Sequence, residues 1–173
     1  PHGACALTTG AQDRGFEWPV RVYWEDTDAG GIVFYANYLK FFERARTEWL
    51  RQLGVEQQRL RETQGGMFVV TDTQVRYHRP ARLDDLLMVT ARLVDAGRAS
   101  LTIGQSAHLQ KPVAPPLTLA PFVEATPPPA GGPAVTPELP VLCEGTIRIG
   151  WVDATSMRPQ RIPLAILDAL RGP

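Results

Sequence analysis

The feature that most constrains the fold is a change in the spacing of apolar residues after residue 54. From Tyr38 to Trp49 the apolar residues recur at intervals of three and four, as on one buried face of a helix. Gly54 is a suitable residue to end that helix. From Met67 to His78 the side chains alternate with a period of two, which is typical of a β-strand. The spacing therefore predicts one long apolar helix followed by a long strand.

Further strands are predicted on both sides of this helix. Val20–Trp24 is a short β-prone run before it. After residue 85, three segments are rich in β-branched or aliphatic residues: Leu86–Val94, Leu101–Leu109 and Val141–Val152. Asp95–Arg98 is expected to form a tight hairpin turn, and Pro163–Leu170 a short closing helix. This order predicts an α+β fold in which an antiparallel sheet wraps around the long helix.

The predicted organisation is a flexible lead-in (1–17) and a single domain (18–173) that carries an insertion at 111–140. Ten of the sixteen prolines lie in that insertion, with three charged residues, so it cannot form a regular strand ladder or bury a face. We expect a floppy or polyproline-like loop. The alternative is a docking motif for a proline-recognising domain.

The composition limits the kinds of partner that this chain is expected to bind and the compartment in which it is expected. Eighteen basic residues balance eighteen acidic ones, which gives no overall attraction to nucleic acid, although a small basic patch for a phosphorylated ligand is compatible with it. No stretch approaches the ~20 apolar residues that span a bilayer, and the first eighteen residues lack the apolar core of a signal peptide. Cys5 and Cys143 are expected to be reduced thiols in a cytoplasmic protein, with a disulfide as the alternative.

A candidate site lies in the segment 25–38, between the short strand and the long helix. Asp28 sits in a cluster of turn-forming residues, where a connecting loop can meet a substrate. The helix start near Phe34–Ala36 offers unpaired backbone N–H groups that could polarise a carbonyl oxygen. A carboxylate just upstream could attack the carbonyl carbon or activate a water. The alternative is a structural turn in which Asp28 only caps the helix.

Three blocks of residues resemble a known family: Arg21–Val33 (RVYWEDTDAGGIV) with Tyr38, the helical run Glu43–Glu48 (ERARTE), and Tyr77–Asp85 (YHRPARLDD). They are similar to the YbgC group, the Tol-Pal-associated members of the hotdog-fold 4-hydroxybenzoyl-CoA thioesterase superfamily. The resemblance covers the chain apart from the lead-in and the proline-rich segment. It implies a hotdog fold, with a long central helix wrapped by a five-stranded antiparallel sheet. It also implies hydrolysis of an acyl thioester without a metal or redox cofactor.

The same resemblance assigns roles to residues of the candidate site. Asp28 would be the catalytic carboxylate, and Tyr35, first in the helix, would give its backbone N–H to the thioester carbonyl. Many YbgC proteins have His where this chain has Tyr35, whereas the hydroxybenzoyl-CoA enzymes have Tyr. A backbone donor does not depend on its side chain, so the role in binding the carbonyl oxygen is kept, whereas any role of the His ring is lost and the acyl preference is left open. The substrate would be an acyl-CoA or an acyl carrier protein ester, and the assembly a homodimer, often paired into a homotetramer.

Four other residues are secondary candidates. Gly31 would let the backbone pass close to a ligand. Glu43 lies on the helix near the expected acyl pocket, where a salt bridge to Arg46 or Arg79 is an equal alternative. Arg98, in the hairpin turn, could contact a CoA phosphate or be a solvated turn residue. Asp26 is expected to be structural.

Two rival functions are compatible with parts of this pattern. Asp26 and Asp28 could bind Mg²⁺ in a phosphatase of the haloacid dehalogenase type, although that fold needs a doubly wound parallel sheet. A non-enzymatic acyl-binding or scaffolding module would keep the fold without the chemistry. The three histidines, His2, His78 and His108, lack metal-ligand spacing, and no GxSxG nucleophile motif occurs.

Overall fold

The computed structural model describes residues 15–110 and 139–171. The elements are β1 (Phe16–Arg21), a 3₁₀ turn (Trp24–Asp26), α1 (Asn37–Gln52), α2 (Gln57–Gln64), β2 (Gly66–Tyr77), β3 (Leu86–Ala96), β4 (Ser100–Gln110), β5 (Val141–Asp153) and α3 (Leu164–Arg171). All strand pairs are antiparallel, and the five strands form one sheet in the order β1-β3-β4-β5-β2. No helix of the described ranges is long and apolar enough to cross a membrane.

The predicted long helix is confirmed, and its apolar face forms the centre of the core. Phe41, Phe42 and Ala45 of α1 are completely buried, together with inward-facing residues of the sheet such as Val89 and Ile103. The helix ends at Gln52, and Gly54 follows with a φ of +77°, a conformation that glycine adopts without strain. The sheet therefore curves around one helix, as the α+β prediction required.

Most of the predicted strands are confirmed to within one or two residues. The turn between β3 and β4 closes at Gly97, whose N–H donates to the Ser100 carbonyl oxygen at 2.8 Å. Strands β4 and β5, which flank the proline-rich segment, pair with each other directly. The predicted insertion at 111–140 itself lies outside the described residues, except for its last two positions, and so do the first fourteen residues of the predicted lead-in.

In the N-terminal half, one predicted strand has the wrong bounds and one helix was not predicted. Strand β1 starts at Phe16, inside the predicted lead-in, and ends at Arg21 rather than Trp24. The chain leaves the sheet there in a 3₁₀ turn, in which the Asp26 N–H donates to the Tyr23 carbonyl oxygen at 3.1 Å and the Asp26 carboxylate accepts the Tyr23 N–H at 2.9 Å. Helix α2 was missed because its sequence, QQRLRETQ, has no apolar stripe and no buried residue. The sequence signals for α2 are its good helix-forming residues and the glycine that ends it. This residue, Gly65, has a φ of +64°.

A buried polar pair links α1 to the middle of the sheet. Arg46 is 9% exposed, and its Nη1 donates to Oε1 of Gln105 on β4 at 2.7 Å. The Gln105 amide nitrogen in turn donates to the Phe42 carbonyl oxygen at 2.9 Å. Burial lowers the pKa of Arg46, an effect that nearby Glu43 partly opposes. Within the described residues no carboxylate lies within 4.0 Å of this guanidinium, so a neutral amide is its main partner.

Replacing Gln105 by Leu should therefore destabilise the protein strongly, because it leaves a buried charge without its acceptor. We expect the free energy of unfolding in urea to fall by about 2–4 kcal/mol. The double variant Arg46→Met/Gln105→Leu removes both partners and should recover at least half of that loss. Equal stabilities of the single and double variants would contradict this coupling.

Candidate active site

Asp28 lies at the tip of a small hairpin that spans residues 27–33. Thr27 and Val33 form an antiparallel bridge, and the Asp28 N–H donates to the Ile32 carbonyl oxygen at 2.9 Å. The turn closes where the Gly31 N–H donates to the Asp28 carbonyl oxygen at 3.0 Å. Gly31 has a φ of +71°, so a residue with a side chain would be strained at this position. Gly31 thus shapes the turn that presents Asp28.

The Asp28 carboxylate is exposed, yet the turn fixes its orientation. Its Oδ1 accepts the Gly30 N–H at 2.8 Å, whereas Oδ2 has no hydrogen-bond partner among the described residues. A Cβ atom added to Gly30 would lie only 3.1 Å from Oδ1, so glycine leaves room for this arrangement. One carboxylate oxygen is therefore anchored and the other is accessible for chemistry.

Asp26 has the structural role that was expected of it. Its side chain is 2% exposed and bonds the Tyr23 N–H. Its carbonyl oxygen accepts the Phe34 N–H and the Nδ2 of Asn37, both at 2.9 Å. Asn37, the first residue of α1, is a positioning residue that the sequence analysis missed. The sequence signal for this role was an Asn directly before the apolar pattern of the helix, because Asn side chains at such positions commonly bond nearby backbone groups.

Tyr35 is not the first residue of the helix, as the resemblance implied, but lies in the turn two residues before it. The turn forms because the Asn37 N–H donates to the Phe34 carbonyl oxygen at 2.8 Å. Within the described part of the chain, the N–H groups of Tyr35 and Ala36 have no acceptor. Both N–H groups lie just before the N-terminus of α1, where the helix dipole is partly positive. They would therefore stabilise a negative charge that develops beside them.

Aromatic rings form one wall of this region. The Tyr35 side chain is 63% exposed, and its ring centroid lies 4.6 Å from that of Phe34. Tyr77, at the end of β2, meets Tyr35 edge-on at 6.3 Å and Tyr38 at 5.7 Å. Tyr38 is buried, and its hydroxyl oxygen accepts the Ala81 N–H at 2.9 Å. This aromatic wall, formed by Phe34, Tyr35, Tyr38 and Tyr77, therefore connects the turn to both α1 and β2.

The structure places the two remaining candidates differently. Glu43 is exposed on α1 and accepts a hydrogen bond from Thr47 at 2.8 Å. Within the described ranges it forms no ion pair, so neither of the two expected salt bridges is present. Arg98 lies in the turn after β3, whereas the Asp28 hairpin is next to the start of that strand. The whole of β3, a strand of 11 residues that would be about 33 Å long if straight, therefore lies between them within one copy of the chain.

Other chemistries receive no support from the described residues. The antiparallel sheet excludes the doubly wound fold of the rival phosphatase. Burial raises the pKa of the Cys143 thiol to about 12, so it is no thiolate nucleophile near neutral pH. Cys143 is a free cysteine, and Cys5 lies outside the described residues. In the parts of the chain that are described, no three His, Cys, Asp or Glu side chains converge as metal ligands.

Comparison with known proteins identifies the family of this chain. Residues 30–115 match the family model described as the thioesterase superfamily. A 93-residue stretch, 54% of the chain, is 53% identical to the acyl-CoA thioesterase YbgC of Haemophilus influenzae and covers 68% of it. A 152-residue stretch, 88% of the chain, is 36% identical to the acyl-CoA thioester hydrolase YbgC of Escherichia coli O6:H1 and covers 92% of it.

A solved structure extends the likeness to the fold. The crystal structure of a probable thioesterase from Bartonella henselae superimposes with a TM-score of 0.66 at 26% identity, and covers 85% of this chain and 98% of the other. The helix wrapped by five antiparallel strands is thus a hotdog fold, and the chain is a thioester hydrolase of the thioesterase superfamily. Within that superfamily it belongs to the YbgC family.

Proposed function

We propose that this protein hydrolyses acyl-CoA thioesters to a free acid and CoA, with Asp28 as the reacting carboxylate. The observation that carries the proposal is the shared placement of two groups. An exposed carboxylate and a backbone N–H lie on the same hairpin and the turn that follows it, and among the described residues one carboxylate oxygen and this N–H have no hydrogen-bond partner. The relatives named acyl-CoA thioesterase support the choice of substrate class.

In the proposed reaction, the Tyr35 N–H donates a hydrogen bond to the thioester carbonyl oxygen and stabilises the negative charge that develops on it. Asp28 then acts in one of two ways. As a general base, it takes a proton from a water whose oxygen attacks the carbonyl carbon, and it returns that proton to the departing sulfur. As a nucleophile, its oxygen bonds the carbonyl carbon while the C–S bond breaks, and water hydrolyses the resulting anhydride.

A homodimer completes the proposal. Strand β2 is an outer strand of the sheet, and its last residue, Tyr77, packs against Tyr35. A second copy that pairs along β2 would therefore lie next to the candidate site. Val70, an apolar residue of this strand, is exposed, which fits a surface that a partner covers. Because the length of β3 lies between Arg98 and Asp28 within one chain, we assign the proposed contact of Arg98 with a CoA phosphate to the turn of another copy.

The acyl group, the carrier and the compartment are separate parts of the proposal. The exposed aromatic rings of Phe34 and Tyr35 offer an apolar surface for an acyl group, with Glu43 along the helix. Release of free thiol from a panel of acyl-CoA esters, from acetyl to palmitoyl and including aromatic acyl groups, would define the preference. The same panel offered on acyl carrier protein identifies the carrier. The cytoplasmic location and the insertion's role remain predictions from sequence.

Asp28→Asn should abolish the chemistry without unfolding the protein. The amide oxygen can still accept the Gly30 N–H, but the side chain loses its negative charge and its capacity to act as base or nucleophile. We expect kcat on the best acyl-CoA to fall by about 10²-fold or more. Glu25→Gln removes an exposed carboxylate three residues away and serves as the matched control, with kcat within about twofold of wild type. Near wild-type turnover by Asp28→Asn would refute the assignment.

Light scattering should give a solution mass of two or four times 19.1 kDa at micromolar concentration. Val70→Lys places a charge on the exposed edge of β2 and should shift the mass towards the monomer. Val94→Lys makes the same change at an exposed valine of β3, an interior strand, and should leave the dimer intact. A wild-type mass of 19.1 kDa would exclude the proposed assembly.

A further inference from the structure

The side chain of Tyr77 makes a long-range hydrogen bond that is not part of the pairing between strands. Its hydroxyl donates to the Tyr35 carbonyl oxygen at 3.0 Å, although the two residues are 42 positions apart in the chain. The ring is half exposed, and it packs edge-on against both Tyr35 and Tyr38. The end of β2 is thereby joined to the turn that carries the two N–H groups without acceptors.

The bonded carbonyl belongs to the peptide group that links Tyr35 to Ala36. That peptide is planar, so fixing its oxygen also fixes the direction of the Ala36 N–H on its opposite side. A hydrogen bond to a carbonyl oxygen polarises the peptide and strengthens its N–H as a donor. The Ala36 N–H has no acceptor in the described part of the chain, so it is available beside the Tyr35 N–H.

The hydroxyl is suited to remain a donor. Burial raises the pKa of Tyr77 from its ordinary value, and the neighbouring Cys143 and Tyr35 act in the same direction. The phenol therefore keeps its proton throughout the neutral range. The backbone of Tyr77 is also held in the sheet, because Tyr77 pairs with Cys143 in the ladder between β2 and β5.

We propose that Tyr77 is a positioning residue for the carbonyl-polarising turn, and that its hydroxyl orients the Tyr35–Ala36 peptide so that the Ala36 N–H faces the thioester oxygen beside the Tyr35 N–H. The inference rests on the proposed function and adds to it a second backbone donor and the side chain that aims it. Tyr77 acts through the peptide and takes no part in bond making.

The test is Tyr77→Phe, which removes the hydroxyl and keeps the ring. Because one of two donors is weakened rather than deleted, we expect kcat to fall by about 10-fold, less than the 10²–10³-fold that follows loss of a whole donor. KM should stay within about twofold, since the interaction strengthens mainly in the transition state. Tyr23→Phe removes the hydroxyl of an exposed tyrosine outside the aromatic wall and should leave kcat within about twofold.

A spectroscopic readout separates positioning from a merely structural role. In an acyl-CoA analogue with CH₂ in place of sulfur, the carbonyl stretching frequency of the bound ketone reports the hydrogen bonds to its oxygen. We expect this frequency to be higher in Tyr77→Phe than in wild type, at unchanged melting temperature. A lower kcat with an unchanged carbonyl frequency, or an unchanged kcat, would overturn the inference.

The two proposals fail in different ways. If Asp28→Asn abolishes turnover while Tyr77→Phe changes neither kcat nor the carbonyl frequency, the role of Tyr77 is wrong and the proposed function stands. If wild-type protein releases no thiol from any acyl-CoA, the proposed function fails first. Folding of Tyr77→Phe is checked by its circular dichroism. Should it fail to fold, Ala36→Pro removes the second N–H directly, and an unchanged kcat in that variant would overturn the inference.

Discussion

The backbone carbonyl of Asp26 is the point on which the candidate site depends. It accepts hydrogen bonds from the Phe34 N–H and from the side chain of Asn37, and so connects the two ends of the segment that contains Asp28. The Asp26 carboxylate is buried and bonds the Tyr23 N–H, which turns the chain away from β1. A buried carboxylate without such a partner would be strongly destabilising. One residue therefore fixes where the sheet ends, where the hairpin begins and where α1 starts.

The core supports this arrangement from below. Completely buried Phe41 and Phe42 hold α1 against the sheet, and the pair of Arg46 with Gln105 fixes the helix to β4 at one position. A helix that could slide or rotate would carry Asn37 and the preceding turn with it. The tip of the hairpin at Asp28 is exposed, so its geometry there comes from local hydrogen bonds and from glycine at position 31, whereas buried Val33 anchors the hairpin to the core and donates its N–H to the Ala81 carbonyl oxygen. Rigid support beneath an exposed loop is a common arrangement for catalytic residues.

The sequence predicted what depends on periodicity and failed where single hydrogen bonds decide. The long helix, the long strands and the hairpin at Gly97 follow from spacing and turn residues. The end of β1 could not be predicted from spacing. Tyr23 and Trp24 are β-prone, but the hydrogen bonds of the 3₁₀ turn, among them the one from the Tyr23 N–H to the Asp26 carboxylate, draw them out of the sheet. Helix α2 has no apolar stripe to reveal it.

For the site, the sequence indicated Asp28 and the region of the free N–H groups, but not how they are held. The roles of Asn37 and Tyr77 depend on contacts 11 and 42 residues away, which no local pattern reveals. The helix start was placed two residues too early because Tyr35 and Ala36 form a turn that leads into α1. For Arg98, the residue type suggested a role that its position in one chain does not explain. Arginine is suited to bind phosphate, but Arg98 lies at the far end of β3 from Asp28.

The central claim is that one short segment presents a carboxylate and a backbone donor to the same thioester carbonyl. A crystal structure with the CH₂-for-sulfur acyl-CoA analogue tests it most directly. The account predicts the ketone oxygen at about 3 Å from the Tyr35 nitrogen, with the Asp28 carboxylate facing the carbonyl carbon directly or through one water. An analogue bound with its carbonyl beyond the reach of both groups would contradict the account.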